Sequence, residues 1–201
     1  MGRRSDHSRE QIREMALQSA DRLVREHGYK GLSARKVATD IGYTVGTLYL
    51  VFKNQDELIL YINERTLDEL YQTMEKIIAE QLQAKACVLS LCRDYYEFAS
   101  KHSHRWLMIF EHTLPENEVL PDWYAQKIQH GFTLLEKSLK PMATNLSSAQ
   151  LSKAARVLWG SVHGITMLAV TNKFGVVGVD SVNELLDSLV ENYLAGLIGN
   201  G

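Results

Sequence analysis

The chain has 201 residues, 45% of them hydrophobic and 23% charged, enough apolar material to bury a core and too much for a disordered polymer. Its formal net charge is −2, but residues 1–55 hold ten Lys/Arg against six Asp/Glu, net +4, and residues 56–201 hold twelve against eighteen, net −6. A basic end on an acidic body fits a DNA reader attached to a part that does not bind DNA, although a fluctuation of solvated charge gives the same split. The polar start MGRRSDHSRE is not a signal peptide, and no apolar run approaches the ~18 residues that cross a bilayer. The two cysteines, Cys87 and Cys92, are five residues apart. On a helix they point about 140° apart, which suits neither a disulfide nor a shared metal. They read as small core residues in a reducing compartment. A cytoplasmic protein is expected, without membrane contact.

Residues 1–7 read as a short arm carrying Arg3 and Arg4, which either enter a minor groove or stay unengaged. Ser8, with Gln11 three positions on, predicts a capping box opening a helix to residue 26, with the apolar stripe Ile12, Met15, Ala16, Ala20, Leu23 and Val24. Gly28 ends it. Ser33 stands as the cap of a second helix over 34–41, and Gly42 follows its last apolar position. Thr44 caps a third helix to residue 50. Val37, Ala38, Ile41, Val45, Leu48 and Phe52 are spaced three and four apart and give this pair one buried side. The other side carries Arg35, Lys36, Tyr43, Thr47 and Tyr49, a mixture suited to phosphates and base edges. Two short helices about a glycine-containing turn form a helix-turn-helix, whose second helix enters the major groove.

Asn54 caps a long fourth helix that runs to about residue 82, with Asp56 and Glu57 in its first turn. Further helices are expected over 84–101, 105–112, 123–139, 150–173 and 181–198, the last two separated by the turn FGVVGVD. No stretch alternates with period two, so the fold class is all-α with about nine helices. The expected domains are 1–54, a three-helix DNA-binding domain, and 55–201, an effector-binding and dimerisation domain entered by the long helix. The last two helices are very apolar, with Gly160, Ser161 and Gly164 between the large residues of the first. They suit either an intrachain core or a four-helix interface between two copies.

On these parts, residues 8–60 resemble the DNA-binding domain of the TetR family of bacterial repressors. The likeness lies in the capped first helix, Gly31, Leu32-Ser33, Val37-Ala38, Gly42, Gly46-Thr47-Leu48-Tyr49, Phe52 and Leu58. The sequence departs from the family pattern at Leu50-Val51, where an aromatic-histidine pair is usual, and at Gln55, where lysine is common. Carried over by position, the resemblance puts Thr44, Val45, Gly46, Thr47 and Tyr49 at the groove. Ser33 and Arg35 stand by the start of the second helix, Tyr43 joins them, and the phosphate contact that lysine would make at position 55 is either lost or taken over by Lys53. The body is similar to a TetR subgroup with a Trp-x-x-x-His-Gly signature, matched by Trp159, His163 and Gly164.

The resemblance implies a homodimeric regulator that binds a palindromic double-stranded DNA operator and is released by a small-molecule effector. The expected dimer contact is the last two helices. Tyr71, Tyr95, Trp106, Phe110, Trp123, Phe132, His163 and Met167 are the candidate effector-lining residues. Each singly also fits core packing, but as a group they favour a largely apolar, aromatic ligand. His102, His104, Glu111 and His112 tempt a metal reading. On a helix, however, His104 and Glu111 stand about 10.5 Å apart, too far for direct ligation of one ion at ~2 Å each. Solvated or capping histidines are expected, with no metal and no cofactor. There is no nucleophile elbow, phosphate loop, HExxH or zinc-spaced Cys pair, so no enzyme is expected. A helical small-molecule-binding protein or enzyme with a structural N-terminal domain is the alternative.

Overall fold

The computed structural model describes residues 7–178 and 181–199; Arg3 and Arg4 lie outside them. Every regular element among the described residues is helical. In chain order they are α1 (Arg9–His27), α2 (Ala34–Asp40), α3 (Val45–Leu48), α4 (Gln55–Ala79), α5 (Ala84–Lys101), α6 (Ser103–Glu111), α7 (Asp122–Leu139), α8 (Ser148–Val170), α9 (Phe174–Val177) and α10 (Val182–Gly199). The caps follow the local chemistry. Ser8 and Gln11 form a reciprocal capping box on α1, and Ser147 and Gln150 form another on α8. Two helices stop earlier than the apolar pattern suggests. α4 ends before Gln81, whose φ is 53°, and α8 ends before Asn172, whose φ is 56°. Such left-handed residues leave the last carbonyls to turns and end the helix without glycine. A single helical turn, α9, occupies part of the expected turn after α8.

Two compact units form. One comprises Met1–Thr66 with His104–Tyr124, the other Leu67–Ser103 with Ala125–Gly201. The division falls inside α4 rather than at residue 54.

The first unit is built on Ala16, Leu17, Ala20, Val24, Leu32, Val37, Leu48, Phe52, Leu58, Ile59, Ile62 and Met108, each at most 6% exposed. Burying each large aliphatic side chain stabilises the unit by roughly 1.5–3 kcal/mol. Met108 comes from α6, so this core draws on a segment far along the chain. α6 is bound further by His104, whose Nδ1–H donates to the Arg25 carbonyl in the last turn of α1 at 2.8 Å. Arg105, almost wholly buried, pairs with Asp21 at 3.0 Å.

In the second unit α5, α8 and α10 pack against one another. α5 contributes Cys87, Val88, Leu91, Cys92, Tyr95, Phe98 and Ala99, and α10 contributes Leu186, Val190 and Leu194. Both cysteines are free and buried, and burial pushes the Cys92 thiol up to about 12. Arg93 of α5 donates through Nε and Nη2 to the two carboxylate oxygens of Asp187 on α10, at 2.9 and 2.5 Å, a bidentate pair that fixes register as well as contact. The Tyr193 hydroxyl donates to the Ala154 carbonyl at 2.8 Å. No helix of the described residues is long and apolar enough to cross a membrane.

Candidate nucleic-acid interface

α2 and α3 are too short to be stable by themselves, with seven and four residues. Three local devices hold them. Ser33 Oγ accepts the Lys36 N–H, Thr44 Oγ1 accepts the Thr47 N–H at 3.1 Å, and Gly42 supplies a φ of 76° between the helices. Leu48 and Phe52, at 1% and 2% exposure, anchor α3 to the core. α2 is pinned to α1 by Asp40, which accepts from Ser19 Oγ at 2.6 Å and from Arg22 Nη2 at 2.5 Å. The Arg22 guanidinium, with Ser19 adding to it, holds the Asp40 carboxyl below the usual carboxylate range.

On this scaffold none of the nine residues expected at DNA is buried. Arg35, Thr44, Gly46, Tyr49 and Lys53 are exposed; Ser33, Tyr43, Val45 and Thr47 are half-buried. Tyr49 is 44% exposed, while its neighbour Leu48 carries the packing. Val45 also touches the core. A Cβ added at Gly46 would meet only Thr44 Oγ1, at 3.7 Å, so this backbone is open to close approach. The hydroxyls of Thr44 and Thr47 are 3.0 Å apart. Thr44 therefore both caps α3 and orients the Thr47 side chain. These groups can donate to phosphate oxygens or base edges and pack a methyl on thymine.

Four participants were invisible to sequence patterning. The Gln55 side-chain oxygen accepts the Ala34 N–H at 3.0 Å, closing the start of α2 onto the start of α4. His7 Nδ1 lies 2.8 Å from the Tyr43 hydroxyl. Arg13 sits over the Tyr61 ring at 3.9 Å, and Trp123 stacks on that ring at 4.7 Å with a 9° interplanar angle. Glu118 lies beside Lys53 and Asn54. Each joins residues far apart in the chain, where no local spacing reports contact.

The eight residues expected at an effector site are divided between the two units. Trp106, Phe110 and Trp123 lie in the first. Trp106 is fully buried with Phe110 against it at 5.0 Å, and Trp123 is occupied by Tyr61. Tyr71, Tyr95, Phe132, His163 and Met167 lie in the second. There His163 Nδ1 is 2.9 Å from the Tyr95 hydroxyl, and the imidazole stacks on Trp159 at 5.1 Å. Phe132 meets Trp159 edge-on at 5.5 Å. Burial pushes the His163 imidazole below its ordinary value, favouring the neutral ring. Tyr71 lies against the backbone of α7 at Gly131. An open cleft of about 360 Å³ in the second unit is lined instead by residues of α4 and α5, among them Lys76, Asp94 and Glu97, and by His102 just past the end of α5. Of the histidines weighed as metal ligands, His104 caps α1 and His112 bonds Asp56. No group of three or more His, Cys, Asp or Glu among the described residues is arranged to hold a metal ion.

Comparison with known proteins bears on this arrangement. Residues 16–62 match the family pattern described as "Bacterial regulatory proteins, tetR family". Residues 88–193, more than half of the chain, match "Tetracyclin repressor-like, C-terminal domain". The fatty acid metabolism regulator protein of Bacillus subtilis (strain 168) is 20% identical over 185 residues, covering 88% of this chain and 94% of that protein. An uncharacterized HTH-type transcriptional regulator of Haemophilus influenzae is 35% identical over 65 residues, covering 32% of this chain and 35% of that protein. Among solved structures, a protein of unknown function from Rhodococcus sp. RHA1 superposes with a TM-score of 0.76 at 19% identity, covering 98% of this chain and 100% of that one. The transcriptional regulator FadR of Bacillus subtilis, in complex with stearoyl-CoA, superposes at 0.66 and 18% identity, covering 91% and 98%. The structural likenesses speak to the fold, and the two family matches go further: the chain belongs to the TetR family of bacterial regulatory proteins and is a DNA-binding regulator of transcription.

Proposed function

We propose that the protein is a cytoplasmic, homodimeric repressor that leaves its operator when a largely apolar effector binds. Residues 1–54 carry the DNA-reading surface, and the effector-binding and dimerising functions are drawn from residues 55–201, of which 55–66 and 104–124 also complete the reader's core. The observation that carries this reading is the recognition segment itself. Thr44, Thr47 and Tyr49 present hydroxyls from a helix fixed by Leu48 and Phe52. In a dimer, two such helices about one turn of DNA apart (~34–36 Å) reach successive major grooves of a palindrome.

Dimerisation through α8 and α10 is supported by their outer residues. Val157 and Leu168 are 48% and 44% exposed on α8. A Cβ at Gly160, Gly164 or Gly196 would meet nothing within 4 Å, leaving room for a second backbone. The contact of Trp159 with His163 supports assignment to the Trp-x-x-x-His-Gly subgroup. An effector with a long apolar chain is favoured, and acyl thioesters come first because a similar solved structure holds stearoyl-CoA.

Release requires an effector that binds the two states of the protein unequally. The test is a gel shift against DNA flanking the protein's own gene, with and without acyl-CoA. Tight, sequence-dependent binding that weakens steeply with salt and is abolished by acyl-CoA is the expected result. No binding at low salt overturns the reading; binding that no acyl-CoA disturbs overturns the effector class alone.

A further inference from the structure

We infer that Glu118 sets the DNA affinity of this protein by competing with an operator phosphate for Lys53; the inference rests on the reading of this chain as a DNA-binding regulator in which Lys53 takes the phosphate contact that residue 55 does not make. Lys53 Nζ is 3.9 Å from Glu118 Oε1, and its side chain is 75% exposed. The same carboxylate oxygen accepts from Asn54 Nδ2 at 3.2 Å. Asn54 cannot turn away from it cheaply, because its Oδ1 caps α4 by accepting the Glu57 N–H at 2.8 Å. Glu57 in turn accepts the Lys53 backbone N–H. The carboxylate is therefore aimed at the one exposed cation of this turn by a chain of hydrogen bonds that also opens α4.

The segment carrying Glu118 is fixed at both ends to α4. His112, nearly buried, donates from Nε2 to Asp56 Oδ1 at 2.8 Å, and Trp123 stacks on Tyr61. Between these anchors the Glu118 N–H donates to the Pro115 carbonyl at 2.9 Å, closing a turn. A phosphate that approaches Lys53 meets an oxyanion already there. It must either displace the carboxylate or lie beside a like charge. The neighbouring cation that the family pattern commonly supplies is absent, since residue 55 is glutamine and its side chain is engaged with the Ala34 N–H. Because Lys53 is largely exposed, Glu118 only half-buried and the two 3.9 Å apart, their attraction is weak and phosphate can win. The contact lowers affinity without abolishing it.

The test is a set of binding titrations over a range of salt, using the full-length protein. The probe is a labelled duplex of arbitrary sequence spanning two successive major grooves, because a phosphate contact is independent of sequence. Glu118→Gln keeps an acceptor for Asn54 but removes the charge. Counted per dimer, with one Glu118 in each protomer, it is expected to tighten binding roughly threefold to tenfold and to steepen the slope of log K against log salt by about 1.8, the value for two further phosphates neutralised. Lys53→Gln is expected to weaken binding, and adding Glu118→Gln to it should then gain nothing. If Lys53→Gln weakens binding while Glu118→Gln leaves affinity and slope unchanged, the competition does not exist. Weaker binding of Glu118→Gln together with a lowered Tm marks a merely structural residue and also overturns the inference. If Lys53→Gln binds like the parent protein, the phosphate role of Lys53 fails, and the inference falls with it.

Discussion

Gln55 accepts the backbone N–H of Ala34 at 3.0 Å, so the first residue of α4 closes the first residue of α2. The first N–H groups of a helix have no partner within it. Ser33 satisfies one of those of α2 and Gln55 another. Gln55→Ala leaves the Ala34 N–H to solvent or unmet and is expected to lower stability by about 1 kcal/mol, read from the urea midpoint. Gln55→Lys loses the same acceptor but restores the cation common in the family. It should match the alanine variant in stability while binding DNA more tightly at low salt. Equal midpoints for all three proteins would show that the bond contributes nothing.

Thr47→Ala and Tyr49→Ala are expected to reduce operator affinity by roughly tenfold or more each, in line with ~1–3 kcal/mol for a specific contact. The fold should persist, because Leu48 and Phe52 supply the packing. Thr44→Ala is different. It removes the cap of α3 and the partner of the Thr47 hydroxyl together, so stability should fall by about 1 kcal/mol as well as affinity. Gel shifts beside thermal melts separate these effects. Parental binding by both of the first two variants would remove α3 from the groove.

Much of the reader was legible in the sequence because its determinants are local. Ser8, Ser33 and Thr44 each bond an N–H three residues on, and Gly42 has the left-handed backbone that its position between the helices implied. The apolar spacing Val37, Leu48, Phe52 likewise reports the buried side directly. Contacts between distant segments leave no such trace. Gln55 read as a missing phosphate contact, whereas its amide is a structural acceptor. Trp123 fitted either packing or an effector contact, and its ring stacks on Tyr61. Aromatic residues at helical spacing look the same whether they line a cavity, fill a core or stack on a neighbour. Helix ends at Gln81 and Asn172 were missed because neither residue advertises a left-handed backbone as glycine does.

His163 gives the second unit a pH dependence of defined sign. Burial holds its imidazole below the ordinary value. The unfolded chain then takes up a proton at a higher pH than the native chain does. Stability is fully present above the ordinary histidine range near pH 6.5 and is lost as pH falls through it towards the lower native value. His163→Gln should flatten this limb. The check is the difference in urea midpoint between about pH 5.5 and 7.5, with the Gln variant expected to show the smaller one. An unaltered difference would assign the limb to other groups.

Gly131 allows α7 to lie directly on Tyr71 of α4. A Cβ there would stand 2.6 Å from the ring and 2.7 Å from its hydroxyl oxygen. Gly131→Ala is therefore expected to destabilise by about 1–3 kcal/mol despite the better helix propensity of alanine. Tyr71→Leu, which shortens the side chain at that point, should recover part of the loss in the double variant. A neutral or stabilising Gly131→Ala would show that the ring moves aside freely.

Residues 104–124 share the core of the reader, through buried Met108, the Arg105–Asp21 pair and the stack of Trp123 on Tyr61. The reader is consequently not a detachable cassette. A chain cut after α4 would leave Asp21 without its buried cation and open a hole where Met108 sat, so the fragment should be unstable rather than permanently active. Chimaeras that graft this specificity onto another body are therefore expected to need both stretches of sequence.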